Sequence, residues 1–135
     1  MAAPEAGAKY MVLTAKHCDG FALFDDGDAT TWDVMERTPY KKDLIDAYVK
    51  ACRKYGLKVG VYYSHRLDGY HGGASPKYRK ILSSHIETIL TKYKPDLMWY
   101  DLGKEGEMIP AVVSPGFSAV WSPGLLPSQC LLPVK

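Results

Sequence analysis

Residues 43–63, DLIDAYVKACRKYGLKVGVYY, hold a helix, its stop signal and the strand that follows it. Leu44, Ile45, Tyr48, Val49 and Cys52 recur at helical spacing and form the single apolar stripe of an amphipathic helix. Asp43 supplies a side-chain oxygen for the free N–H groups of the first turn. Arg53 and Lys54 suit the negative end of the helix dipole. Gly56 can take the left-handed conformation that closes a helix. Residues 57–63 (LKVGVYY) are then rich enough in branched and aromatic side chains for a strand.

The same alternation extends in both directions. Upstream, residues 10–14 (YMVLT) read as a short buried strand, separated from Asp43 by a polar stretch over residues 16–42. Downstream, a loop carrying His65, Asp68, Gly69, His71, Gly72 and Gly73 leads to Pro76, which fits the first turn of a helix. That helix places Ile81, Leu82, His85, Ile86, Ile89 and Leu90 on one side and must end before Pro95. Residues 96–100 (DLMWY) form a third strand that closes on Asp101.

Short apolar strands alternating with helices imply parallel strands joined by right-handed crossovers. Each strand leaves through a long polar loop, whereas each helix enters the next strand through a tight Gly or Pro turn. Barrel enzymes build their sites on the long loops. The fold class expected is therefore α/β, a partial (β/α)8 barrel of about three parallel strands with crossover helices. A flavodoxin-like open sheet shows the same alternation and is the structural alternative. Residues 1–107 are assigned to the barrel segment. Residues 108–135, with repeated Pro and Ser-Pro-Gly, read as an irregular tail arising from truncation, frame change or read-through.

Composition narrows the function classes. Over 135 residues, 47% are apolar and 24% charged, the mix of a globular domain rather than a disordered segment. The net charge of +2 is spread among both signs, which argues against nucleic acid or an anionic membrane as partner. Cys18, Cys52 and Cys130 have no zinc or redox spacing, and Cys52 lies on the apolar stripe of the helix. No HExxH pattern and no phosphate-binding glycine loop is present, so neither a metal nor a nucleotide cofactor has support. The N-terminus lacks the pattern of a signal peptide, and no run approaches the roughly twenty apolar residues of a membrane span.

Three strand ends carry the polar chemistry. Asp101 follows an apolar strand, where a carboxylate either faces a barrel mouth or caps a turn. Lys16-His17-Cys18-Asp19-Gly20-Phe21 follows the first strand in the same way. Imidazole, carboxylate and aromatic groups there suit a polar ring; a turn with Gly20 at positive φ is the plain alternative. Tyr62, Tyr63, Ser64 and His65 end the second strand, and alternation sends one tyrosine into the core. His85, among isoleucines on a helix, reads as a core histidine.

Read together, these strand ends resemble the α-L-fucosidase family of glycoside hydrolases. YMVLT followed by AKHCDGF is similar to that family's strand running into Lys-His-His-Asp-Gly-Phe. Residues 38–63 are similar to its next helix and strand, and DLMWYD to the strand ending in its nucleophilic Asp. The resemblance covers about residues 8–103. It implies retaining hydrolysis of terminal α-L-fucosyl groups on an oligosaccharide or glycoconjugate. It also implies no metal or organic cofactor, and a secreted, periplasmic or lysosomal setting.

By the same resemblance, Asp101 is the nucleophile, and His17, Cys18, Tyr63 and Trp99 surround the sugar. Two departures matter. Cys18 stands where many members have a second histidine, and a thiol is a poorer hydrogen-bonding group than imidazole. The family's general acid/base is a Glu well downstream of the nucleophile, and Glu105 and Glu107 lie too near Asp101 to inherit that role. The isolated chain is therefore expected to be inactive. A sugar-binding remnant, a different barrel glycosidase or a functionless truncated product are the alternatives.

Overall fold

A computed structural model of the chain describes residues 3–64, 75–101 and 129–133, with the backbone alone for residues 100, 101 and 129–133. The loop carrying His65, Asp68 and His71, the two glutamates Glu105 and Glu107, and most of the tail lie outside the described residues.

The elements run β1 (Tyr10–Lys16), α1 (Val34–Arg37), α2 (Leu44–Lys54), β2 (Lys58–Ser64), α3 (Pro76–Thr88), a π-helical turn (Ile89–Tyr93), β3 (Leu97–Asp101) and β4 (Gln129–Pro133). The predicted punctuation acts where expected. Asp43 accepts the Asp46 N–H at 2.8 Å to start α2, and Gly56, at φ 68°, follows its end. Ser75 caps α3 and Pro76 occupies its first turn. The helical path continues past α3 as the π turn, and Lys94 closes it in a left-handed conformation (φ 48°) just before Pro95. The Arg53 guanidinium donates to the carbonyls of Tyr93 and Lys94 at 2.8 and 3.0 Å, satisfying groups that the helix end leaves open.

Among the described residues one sheet is present, in the order β1-β2-β3-β4. β1 pairs with β2 and β2 with β3 in parallel. The strands follow chain order without the reversal that marks a doubly wound sheet. The apolar stripe of α2 (Ile45, Val49, Cys52) and the α3 side chains Leu82, Ile86 and Ile89 join one buried cluster with Ala15, Val59, Val61, Tyr63 and Met98. The helices thus cover one face of the sheet, as in the wall of a barrel.

Two short elements escape the sequence reading. α1 is a single turn, capped by the Asp33 carboxylate accepting the Glu36 N–H at 2.8 Å, and too short to show a period. In the segment read as irregular, residues 129–133 form β4, antiparallel to β3 at the sheet edge. Pro133 ends that strand, a place where a missing N–H is tolerated.

Candidate active site

The site is built at the C-terminal ends of the parallel strands, and one irregularity of β1 decides its composition. The β1–β2 register runs Thr14↔Tyr62 and then Lys16↔Tyr63, so Ala15 is an extra residue in β1. A one-residue bulge exchanges the faces of everything beyond it. Lys16 is consequently fully buried on the helix side, and His17 joins the opposite face with Tyr62. The His17 ring stacks on Tyr62 with centroids 5.8 Å apart and planes 14° apart. Tyr62 in turn meets Trp99 edge-on at 6.2 Å. Three adjacent strands therefore present a continuous row of imidazole, phenol and indole, a platform suited to the apolar face and hydroxyls of a sugar ring.

His17 and Cys18 are both exposed, with Nδ1 and Sγ 3.1 Å apart. Gly20 takes φ 82°, and its N–H donates to the His17 carbonyl at 3.1 Å, turning the chain directly after these two residues. At the other end of the row, Asp101 pairs in register with Ser64 and stands two residues beyond Trp99 on β3. Among the described residues, the indole N–H of Trp99 and the hydroxyl of Ser64 are buried without a hydrogen-bond partner. Such groups are costly unless a ligand or another polar atom satisfies them.

Tyr63 does not join this row. Its side chain is fully buried on the helix face, with its hydroxyl 2.9 Å from His85 Nδ1. The strand pleat places Tyr62, not Tyr63, in the row with His17 and Trp99, because the two tyrosines point to opposite faces. Sequence spacing alone could not separate them, since the choice depends on the parity of β2 relative to the sheet. His85 is a core histidine, as expected, although a bonded one: its Nε2 lies 3.0 Å from Asp26 Oδ2. Burial opposes ionisation of Asp26, but hydrogen bonds from His85 and Thr30 outweigh it and hold the carboxyl below its usual range. For Asp33, burial and the neighbouring Asp26 carboxylate act in the opposite sense and raise its pKa.

Comparisons agree with this architecture. The profile of the alpha-L-fucosidase family matches residues 1–122, past residue 103 where the motif resemblance stops. An alpha-L-fucosidase of Dictyostelium discoideum is 31% identical over 108 residues, which is 72% of this chain and 23% of the relative. A plasma alpha-L-fucosidase of Rattus norvegicus is 33% identical over 108 residues, covering 71% and 23%. The Thermotoga maritima alpha-fucosidase in complex with fucose superposes with a TM-score of 0.67 at 32% identity, over 74% of this chain and 26% of that one. An alpha-L-fucosidase from Lactobacillus casei in complex with its fucose product gives 0.65 at 27% identity, over 76% and 40%. The chain spans about a quarter of the length of the curated relatives. Its parallel strands and crossover helices are a segment of a (β/α)8 barrel, and the chain belongs to the alpha-L-fucosidase family.

Proposed function

We propose that the complete polypeptide carrying this chain is a retaining α-L-fucosidase in which Asp101 is the nucleophile. The observation that carries this reading is the register of Asp101. It ends β3 beside Ser64, on a strand whose Trp99 continues the row begun by His17 and Tyr62. Strand alternation gives position 101 the same face as position 99. In the proposed reaction the Asp101 carboxylate attacks the anomeric carbon of a terminal α-L-fucosyl group, and the glycosidic oxygen leaves with a proton. Water then hydrolyses the covalent fucosyl-enzyme.

Retention requires a second carboxyl about 5–5.5 Å from the first, acting as acid and then as base. The family resemblance assigns it to a Glu downstream of the nucleophile. His17 and Cys18 are proposed to meet the sugar hydroxyls, with Tyr62 and Trp99 packing against the ring. Fucosylated oligosaccharides or glycoconjugates are the substrates proposed, since two structural relatives hold fucose. Among the described residues no helix is long and apolar enough to cross a membrane. The plasma relative supports a site of action outside the cytosol.

The test is release of fucose from an aryl α-L-fucoside and from a fucosylated oligosaccharide. The complete polypeptide should release it, and Asp101→Gly should lower kcat by at least about 10³-fold without changing the folded state. Equal turnover by the variant would sink the nucleophile assignment. The alternative reading is sugar binding without turnover. Fucose binding by calorimetry with no turnover of either substrate would select it.

A further inference from the structure

Behind the His17–Tyr62–Trp99 row, on the helix side of the same strand ends, lies a chain of buried polar groups. Thr30 Oγ1 donates to Asp26 Oδ2 at 2.6 Å. Asp26 Oδ2 lies 3.0 Å from His85 Nε2, and His85 Nδ1 lies 2.9 Å from the Tyr63 hydroxyl. Lys16 Nζ sits 5.0 Å from the centre of the Tyr63 ring and donates to the Ser64 carbonyl at 2.9 Å. It also lies 3.3 Å from the Tyr78 hydroxyl. Lys16, Tyr63 and His85 are fully buried, and Asp26 is nearly so.

The partners orient the chain. An ionised Asp26 places the imidazole proton on Nε2, which leaves Nδ1 to accept from the Tyr63 hydroxyl. The order Asp26, His85, Tyr63, Lys16 therefore ties together the loop after β1, helix α3, the end of β2 and the bulged end of β1. Burying these groups is costly, and an apolar set of similar volume would hold the wall without that penalty. What the polar set adds is geometry. Lys16 precedes His17 and Tyr63 follows Tyr62, so fixing one member of each pair on the helix face fixes the other on the sugar-facing face.

We infer that Asp26, His85, Tyr63 and Lys16 are positioning residues, which hold the β1 bulge in register and thereby aim His17 and Tyr62 at the substrate. Their role rests on the fucosidase reading for its kinetic consequence, though not for its structural one. Tyr63→Phe removes a hydroxyl and keeps the ring, so it is the primary variant. His85→Gln keeps an N–H toward Asp26 while breaking the contact to Tyr63, and is the second.

Both variants are made in the complete polypeptide and measured by fucoside kinetics and amide hydrogen exchange. The expected kinetic result is a rise in KM of at least about five-fold with kcat within about two-fold, the mark of lost binding rather than lost chemistry. The expected exchange result is faster exchange at Ala22 and Leu23, whose N–H groups bond the carbonyls of Trp32 and Ala15, with α2 unchanged. Unchanged KM together with unchanged exchange would overturn the inference. Faster exchange throughout the barrel in both variants would also overturn it, by making the chain a stability element alone. If the unmodified polypeptide turned over no fucoside, the fucosidase reading would fail while the exchange result still decided the positioning role.

Discussion

Asp43 shows how much one side chain can hold. Its Oδ1 caps α2 through the Asp46 N–H at 2.8 Å, and its Oδ2 accepts the Tyr93 hydroxyl at 2.5 Å and pairs with Lys92 at 3.1 Å. The capping role was legible from position alone, because Asp43 directly precedes the apolar stripe. The bond to Tyr93 was not, since it joins residues fifty positions apart. Asp43→Ala should cost about 0.5–2 kcal/mol for the cap, measured by denaturant titration, with the orphaned Tyr93 hydroxyl adding to it. Burial raises the Asp43 pKa, but the Tyr93, Asp46 and Lys92 contacts outweigh it, and the net value lies below the usual 3.8. A depressed folded pKa stabilises above the unfolded value, and the contribution is lost as pH falls through the folded one. Asn can retain the cap but not the Oδ2 acceptor, so Asp43→Asn removes the charge together with the bonds from Tyr93 and the Asp25 N–H. Its stability deficit should be full near neutrality and shrink as pH falls below the unfolded carboxyl value. A deficit that does not change with pH would contradict the assignment.

At the level of elements, what was local in sequence was legible and what depended on pairing was not. Periodicity located α2 and α3, and Gly56 and Pro95 located their ends. The β1 bulge left no local signal. It exists only in the register with β2, and that register is what buries Lys16 and turns His17 toward Tyr62. Gly60 marks the tight seam between these strands. A Cβ there would lie 2.8 Å from the Met11 carbonyl oxygen and 2.8 Å from Val12 Cγ2. The Tyr48 hydroxyl of α2 also reaches this seam, 2.6 Å from the Met11 carbonyl and 2.9 Å from that of Gly60. Gly60→Ala should therefore destabilise the protein by about 1–3 kcal/mol, read as a lower midpoint in denaturant. A neutral result would mean that the strands are not packed as described. The bulge also explains why His17 lies beside Tyr62 rather than Tyr63.

For the molecule as a whole, the strand–helix alternation and the long loops after each strand pointed to the barrel wall, and the family match and superpositions agree. The proposed retaining chemistry would need, besides Asp101, a second carboxyl group and a closed barrel to hold the two apart. The described sheet leaves β1 at an edge, with Tyr10 and Met11 exposed at 57% and 41%. Unpaired edges beside apolar side chains favour strand-to-strand association. The 135-residue chain alone should therefore self-associate in sedimentation and release no fucose. A stable monomer of this chain with fucosidase turnover would refute that expectation. The proposed role of Asp101 is more specific: its carboxylate would form the covalent bond to the sugar. The direct measurement is peptide mass spectrometry of the complete polypeptide after reaction with a 2-fluoro-fucosyl donor that traps the intermediate. One fucosyl ester is expected, on the peptide containing Asp101 and abolished by Asp101→Gly; an ester on any other carboxylate, or turnover with no trapped ester, would contradict the nucleophile assignment.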